Sequence, residues 1–83
     1  MSYDEELRGR TVRIGTKQTT KAVETGSAAK VFVAKDADPK LTSKIVSLAK
    51  KLNVEVTYID SMKQLGKACG IEVGAAMAAI VNE

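Results

Sequence analysis

The chain has 83 residues, enough for one domain and too few for a second core, so we expect a single domain over residues 1–83. Of these residues, 45% are hydrophobic and 28% are charged, with one proline and six glycines. This composition indicates a globular protein and excludes a disordered one. No apolar run approaches the roughly 20 residues of a membrane span, so we expect no membrane partner.

Thirteen basic and ten acidic residues give a net charge of +3, and the chain has no histidine. Residues 10–23 contain four basic side chains and residues 61–71 contain two, with no acidic residue in either stretch. The rest of the chain has seven basic and ten acidic residues. This concentration of positive charge favours a polyanionic partner, although two ordinary solvated faces would have the same composition.

Cys69 is the only cysteine, so the chain cannot form an internal disulfide. The sequence also opens without the pattern of a secretory leader. Both features predict a reducing, cytoplasmic location.

The first predicted elements are a helix over residues 3–8, a strand over 11–14 and a helix over 17–25. Thr16 stands where a side chain caps a helix, and Gly26 stands where a left-handed residue ends one. On a helical wheel, Lys17 and Lys21 lie opposite the apolar face of the second helix. We therefore expect both lysines in solvent.

A β-branched and aromatic stretch predicts a strand over residues 30–34, after which Asp38 and Pro39 provide the cap and the first residue of a helix. Alternating apolar residues over 54–58 predict a strand with one buried face, which includes Tyr58. The helix between these strands has one apolar stripe at helical spacing. The stripe consists of Leu41, Ile45, Leu48, Ala49 and Leu52.

Ser61 and Gln64 have the spacing of a capping box and predict a short helix that ends at Gly70. Its apolar stripe consists of Met62, Leu65 and Cys69. The last predicted strand covers residues 75–81. Strands that alternate with helices of these lengths predict a three-layer α/β/α sandwich with a mixed sheet of about four strands.

The chain has few residues of the types that catalyse reactions or bind metal ions. Without histidine or clustered metal ligands, we expect no enzyme activity, no metal and no cofactor. Cys69 lies on an apolar stripe, which favours a structural thiol over a nucleophile. Asp36 and Asp38 precede Pro39, so turn formation and capping explain them better than a cation site does. The three aromatic residues are too few to stack an open RNA strand.

Two segments still lack a structural explanation, and the first begins at Gly15. A glycine followed by polar side chains starts a helix, where free N–H groups and the helix dipole attract phosphate. The second glycine of a phosphate loop is absent. Lys17 and Lys21 are one turn apart and can donate to guanine, and Gln18 can both donate and accept. This helix therefore has the groups to read base edges in a groove that admits it.

The second segment, Gly70 to Gly74, places Ile71 and Val73 between glycines in a predicted loop. Apolar side chains in a loop either turn into the core or contact a partner. The residues alone leave these two alternatives open.

Three motifs now make a resemblance visible. Residues 15–26 (GTKQTTKAVETG), 33–39 (VAKDADP) and 65–74 (LGKACGIEVG) stand in the order and at the spacing found in the kink-turn RNA-binding family of ribosomal proteins typified by archaeal L7Ae. From about Ile14 onward, nearly the whole chain resembles this family. The resemblance implies an α/β/α sandwich that binds a kink-turn, a sharply bent RNA duplex with a bulge beside tandem sheared G·A pairs.

The resemblance also implies which residues contact the RNA. Ordinary A-form RNA hides its major groove from side chains, but the kink opens the groove, and the family inserts the helix that follows Gly15 here. Lys17, Gln18 and Lys21 are then expected at the G·A pairs, with Gly15 and Thr16 near the backbone.

By the same resemblance, the loop of Ile71, Glu72 and Val73 packs against a bulged nucleotide. Lys30 and Lys67 match basic positions that contact phosphate. The implied partner is a structured RNA that contains a kink-turn, with no DNA expected, and association with the ribosome is compatible with it.

Lys17 and Gln18 depart from the family pattern, which has Asn-Glu at these positions. Glutamate accepts well from guanine N1–H and N2–H, whereas glutamine offers one neutral acceptor and lysine offers none. We therefore expect kink-turn recognition with altered tolerance at the G·A pairs and more phosphate-driven affinity.

Two other functions remain open. A protein–protein adaptor would use the Ile71–Val73 loop as an apolar anchor, while the basic residues only kept the domain in solution. A binder or enzyme of small phosphate compounds would use the turn at Gly15, although the acid–base groups of an enzyme are missing.

Overall fold

The structure, a computed structural model, describes residues 11–81, so the helix expected over 3–8 lies outside the described residues. Four strands alternate with three helices in this part of the chain, as the sequence predicts. Their bounds are β1 Val12–Ile14, α1 Thr16–Glu24, β2 Ala28–Ala34, α2 Pro39–Lys51, β3 Glu55–Ile59, α3 Met62–Ala68 and β4 Met77–Val81. None of these helices is long and apolar enough to cross a membrane.

The four strands form one mixed sheet in the order β1-β4-β2-β3. Strand β4 pairs antiparallel with both β1 and β2, and β3 pairs parallel with β2. Every residue of β4 is buried, because the strand is central and both of its faces are covered. The end of the described chain therefore forms the middle of the sheet.

Helices cover both faces of the sheet. On one face, Val23 of α1 and Ile45 of α2 pack with Met77. On the other face, Leu65 of α3 packs with Phe32 and Ile80. The expected three-layer α/β/α sandwich with a mixed sheet is confirmed.

Two of the three predicted helix caps are confirmed. Asp38 accepts a hydrogen bond from the backbone N–H of Lys40 at 2.9 Å, and Ser61 accepts one from Gln64 at 3.1 Å. The prediction for Thr16 is wrong, because α1 begins at Thr16 and Gly15 precedes it without a side-chain cap. The Gly15 N–H donates to the Met77 carbonyl at 3.0 Å, so a bond to the sheet fixes this corner.

Each of the three described helices ends at a residue with positive φ. Gly26, Asn53 and Gly70 have φ angles of 78°, 59° and 81°. In all three cases, the backbone N–H of this residue and the N–H of the next residue donate to carbonyls in the last turn of the helix. This is the Schellman arrangement. The predicted stops at Gly26 and Gly70 are confirmed.

Some predicted apolar positions are less buried than expected. Ile45 and Ala49 are in the core, but Leu41 is 37% and Leu52 44% exposed, because these two lie at the two ends of α2, away from its buried middle. Tyr58 is 48% exposed, since β3 is an edge strand. Met62, at the start of α3, is 37% exposed.

Candidate nucleic-acid interface

The site begins at the corner between β1 and α1. Gly15 has a φ of 99°, a conformation that favours glycine, and its carbonyl accepts from the Thr19 N–H at 2.9 Å. No side chain between residues 11 and 81 caps the first turn, and the turn itself contains no acidic residue. Within this part of the chain, no carboxylate offsets the positive end of the helix dipole.

Lys17 and Lys21 are exposed on the outer side of α1, as predicted. The opposite side of the helix, which includes Thr19 and Val23, is completely buried. Neither lysine forms an ion pair with another residue between 11 and 81. We call this pair of lysines the α1 crest.

A groove of about 240 Å³ lies beside the α1 crest. Its walls combine the side of α1 with a basic residue from strand β1, Arg13, which is exposed. Hydrogen bonds of Thr25 and Ser27 to carbonyls of α1 form its lower end. The groove is lined by Arg13, Gln18, Lys21, Ala22, Thr25 and Ser27.

Arg13 is a candidate contact that sequence reasoning missed. It was counted among the basic residues of segment 10–23 but was not assigned to the site. The available signal was the alternation of β1: because Val12 and Ile14 pack against the α3 face, Arg13 must point to the face that carries α1.

The loop over residues 70–74 is held close to α3. Gly70 N–H donates to Lys67 and Ile71 N–H donates to Gly66, both at 3.0 Å. A Cβ on Gly66 would overlap the carbonyl of Val73, so the absence of a side chain at Gly66 permits this close approach. Sequence reasoning gave Gly66 no role, and a glycine inside a helix was the available signal.

The two apolar residues of this loop differ in burial. Ile71 is half-buried and packs against the core on the α3 face. Val73 is 70% exposed, and Glu72 is exposed as well. The alternatives left open by the sequence therefore divide between the two residues: Ile71 turns into the protein, and Val73 is available to a partner.

Strand pairing brings the start of α1 and the 70–74 loop to one edge of the sheet. Gly15 follows β1, and its N–H bonds the first residue of β4, Met77. Val73 precedes Met77 by four residues, a reach of at most about 14 Å. We call this edge, where β1, β2 and β3 end and β4 begins, the upper edge.

Two further lysines were expected to contact phosphate. Lys67 is exposed in the last turn of α3, directly before the 70–74 loop. Lys30 lies near the start of β2, at the opposite edge, and on the face away from α1. Its Nζ is 3.0 Å from a carboxylate oxygen of Glu55 and 5.3 Å from the centre of the Phe32 ring. The structure thus places Lys67 beside the 70–74 loop and Lys30 at the opposite edge.

Other chemistry has little support in the described part of the chain. Between residues 11 and 81, no three His, Cys, Asp or Glu side chains are grouped to hold a metal ion. Burial raises the pKa of the Cys69 thiol, which keeps the thiol protonated and unreactive near neutral pH. Asp36 accepts a hydrogen bond from the Met62 N–H at 2.7 Å and so joins the turn after β2 to α3.

Comparison with known proteins identifies the family of the chain. The model of the ribosomal protein L7Ae/L30e/S12e/Gadd45 family matches residues 3–83. The chain belongs to this family, which confirms the resemblance drawn from three motifs.

Individual relatives agree with the assignment. A protein of Bacillus pumilus named "RNA-binding protein" is 53% identical over 81 residues, which cover 98% of this chain and 99% of the relative. "RNA-binding protein YbxF" of Geobacillus stearothermophilus is 51% identical over 82 residues, or 99% of this chain and all of the relative. Among solved structures, a 15.5 kD RNA-binding protein of Giardia lamblia has a TM-score of 0.86 at 26% identity, covering 98% of this chain and 68% of its own.

Proposed function

We propose that the chain is a single-domain RNA-binding protein that recognises kink-turns through α1 and the 70–74 loop. The observation that carries this proposal is the upper edge. Here lysines that form no ion pair within residues 11–81 and an exposed apolar side chain lie on elements that begin at neighbouring positions of the sheet. The names of the relatives, which include "RNA-binding protein YbxF", support an RNA partner. The name of the family supports association with the ribosome.

Each part of the surface suits a different part of a kinked RNA. α1 enters the opened major groove, where Lys17, Gln18 and Lys21 contact the G·A pairs and Gly15 and Thr16 approach the backbone. The free N–H groups of the first turn are suited to phosphate.

Val73 covers the bulged nucleotide, because its side chain is the exposed apolar group of the loop. Ile71 supports it from the core side, and Glu72 lies between them. Lys67 binds a phosphate next to the loop. Arg13 extends the cationic side of the groove toward β1, whereas Lys30 is left out of the proposed interface because it is paired at the other edge.

The replacement of Asn-Glu by Lys17-Gln18 shifts the balance of this recognition. Lysine adds charge and removes an acceptor, and glutamine weakens the acceptor for guanine N–H groups. We expect a steeper fall of affinity with salt, because each lysine–phosphate contact releases counterions, together with a smaller difference between G·A pairs and their substitutes.

Mechanistically, the protein acts as a clamp. A surface that fits only the bent RNA shifts the equilibrium between bent and extended forms by the difference in its affinity for the two. This action requires no cofactor and no chemical step.

The test is a titration of the protein with a kink-turn RNA and with a copy whose G·A pairs are changed to Watson–Crick pairs. We expect the kink-turn to bind more tightly at moderate salt. Equal affinity for both RNAs would show that recognition is electrostatic only. A Gln18→Glu variant is a matched comparison, because it restores the acceptor and is expected to widen the difference between the two RNAs.

A protein–protein adaptor would have one of its two predicted apolar contact residues in this structure. Ile71 packs against the core, which leaves Val73 as the exposed apolar residue of the loop. A single valine is a small apolar surface for a protein interface, since stable interfaces bury about 800 Å² on each partner. Failure to bind kink-turn RNA at low salt would favour the adaptor again.

A further inference from the structure

A second cationic surface lies on α2, outside the proposed kink-turn interface. The helix contains four lysines and no acidic residue between Pro39 and Lys51. All four are exposed, and none forms an ion pair with another residue of the range 11–81. They are Lys40, Lys44, Lys50 and Lys51.

Three of these lysines form one straight row. At 100° per residue, Lys40, Lys44 and Lys51 fall within about 40° of each other on the helix. The row lies opposite Ile45 and Ala49, the buried residues of α2. We call the three lysines the α2 crest, and Ser47, also exposed, lies on the same line.

The stability of the helix explains Lys51, which lies in the last turn, where the helix dipole favours positive charge, but it does not explain Lys40 and Lys44. Lys40 lies in the first turn, where the helix dipole disfavours positive charge. Lys40 and Lys44 are a like-charged pair four residues apart, which destabilises an isolated helix. A row of one sign of charge on the exposed face of a helix is the electrostatic footprint expected of a protein that binds a polyanion. The pattern therefore points to an anionic partner.

The α2 crest and the α1 crest lie on the same side of the molecule. α1 and α2 cover the same face of the sheet and pack against each other, at the distance of about 8–10 Å that is usual for packed helices. Both helices begin at the upper edge, because α1 follows β1 and α2 follows β2. An RNA held at the upper edge is therefore next to Lys40 and Lys44.

We propose that the α2 crest is a second RNA-binding surface, which contacts the phosphate backbone of a stem that extends from the bound kink-turn. The row from Lys40 to Lys51 spans about 16 Å, the length of several consecutive phosphates along a strand. Lysine suits this role as a flexible point charge, and the exposed hydroxyl of Ser47 is a further donor to phosphate. The inference rests on the proposed kink-turn function and adds a second contact to it.

The experiment compares three RNAs and two matched variants. One RNA is a kink-turn with its stems cut to a few base pairs, and in each of the other two a different stem is extended by about ten base pairs. The double variant Lys40→Gln/Lys44→Gln removes two charges from the crest. The control Lys30→Gln/Lys50→Gln removes two charges elsewhere, since Lys30 is paired with Glu55 at the opposite edge and Lys50 lies about 100° away from the row. Glutamine is a good helix former, and circular dichroism checks the folding of each variant.

We expect the wild-type protein to bind one of the extended RNAs more tightly than the short one. The crest variant should lose this gain while it binds the short RNA as the wild type does. On the extended RNA, the slope of log K against log salt should fall by about 2, which is about a tenfold difference between 50 and 200 mM salt. The control variant should keep the gain.

Three results would overturn the proposal. The first is that stem extension gives no gain in affinity, although the short RNA binds and Lys21→Ala weakens that binding. This result would contradict the α2 surface and leave the kink-turn function intact. An equal loss in the control variant assigns the gain to net charge. Absence of binding to all three RNAs would contradict both the kink-turn function and the α2 surface.

Discussion

The lysines at the two edges of the sheet lie in different environments. At the upper edge, Lys17 and Lys21 are exposed and form no ion pair within residues 11–81. At the opposite edge, Lys30 lies with its side chain 19% exposed between the Glu55 carboxylate and the Phe32 ring. A lysine that already has an anion and an aromatic face beside it gains less from a phosphate than one that has neither.

This difference matters because the family resemblance assigned lysines of both edges to the same task. A motif carries residue types but not their neighbours. Glu55 comes beside Lys30 only through the parallel pairing of β2 and β3, a contact between residues 25 positions apart. The upper edge is therefore the proposed interface, and four predictions test the difference between the two edges.

Lys21→Ala should have the largest effect. A hydrogen bond to a charged group contributes about 1.5–3 kcal/mol, so we expect kink-turn binding to weaken by about 10- to 150-fold. Because the side chain is exposed, the melting temperature should stay nearly unchanged. Fluorescence anisotropy and thermal unfolding measure the two quantities. Loss of the fold would show that α1 is oriented incorrectly.

Gly66→Ala should disturb the other half of the upper edge. The new methyl group would overlap the Val73 carbonyl, so the 70–74 loop must move away from α3. We expect a loss of about 1–3 kcal/mol in the free energy of unfolding and weaker kink-turn binding. Denaturant unfolding and RNA titration give both values.

Gly26→Ala is the control for this variant. Unlike Gly66, Gly26 has a positive φ, but a Cβ there meets nothing within 4 Å, and it lies at the far end of α1. It should lower stability through backbone strain and leave RNA binding unchanged. Equal binding by Gly66→Ala and the wild type would show that the position of the loop does not matter.

The fold was predictable because its signals are local. The stripe containing Ile45 and Ala49, the cap at Asp38 and the glycine at the end of α1 each specify an element within a few residues. Thr16 was misassigned as a cap because a contact distant in sequence, from Gly15 to Met77, decides how α1 begins. The central position of β4 also depends on distant pairing, although its lack of charged residues was a signal.

The site was only partly predictable. Charge and the start of a helix identify Lys17 and Lys21, which any folded arrangement of α1 exposes. The different environments of Ile71 and Val73 depend on the approach of the loop to Gly66, which no periodicity describes. Arg13 required knowledge of which helix covers which face of β1.

Val73→Ser and Ile71→Ala should separate binding from stability. Val73 is mostly exposed, so its replacement should leave stability within about 0.5 kcal/mol and weaken kink-turn binding about fivefold, the loss of about 1 kcal/mol of apolar contact. Ile71→Ala removes part of the core instead and should lower the free energy of unfolding. The same effects in both variants would contradict the division of the loop into a supporting and a contacting residue.

Lys30→Gln should have the smallest effect and complete the comparison with Lys21→Ala. Lys30 and Glu55 are an ion pair with one mostly exposed partner, so a double-mutant cycle with Glu55→Gln should give a coupling of about 0.2–1 kcal/mol in stability. Kink-turn affinity should change by less than about twofold, because the pair is at the edge away from α1's first turn. If Lys30→Gln weakened binding as much as Lys21→Ala, the RNA would have to reach both edges, and Lys30 would exchange Glu55 for a phosphate when it binds.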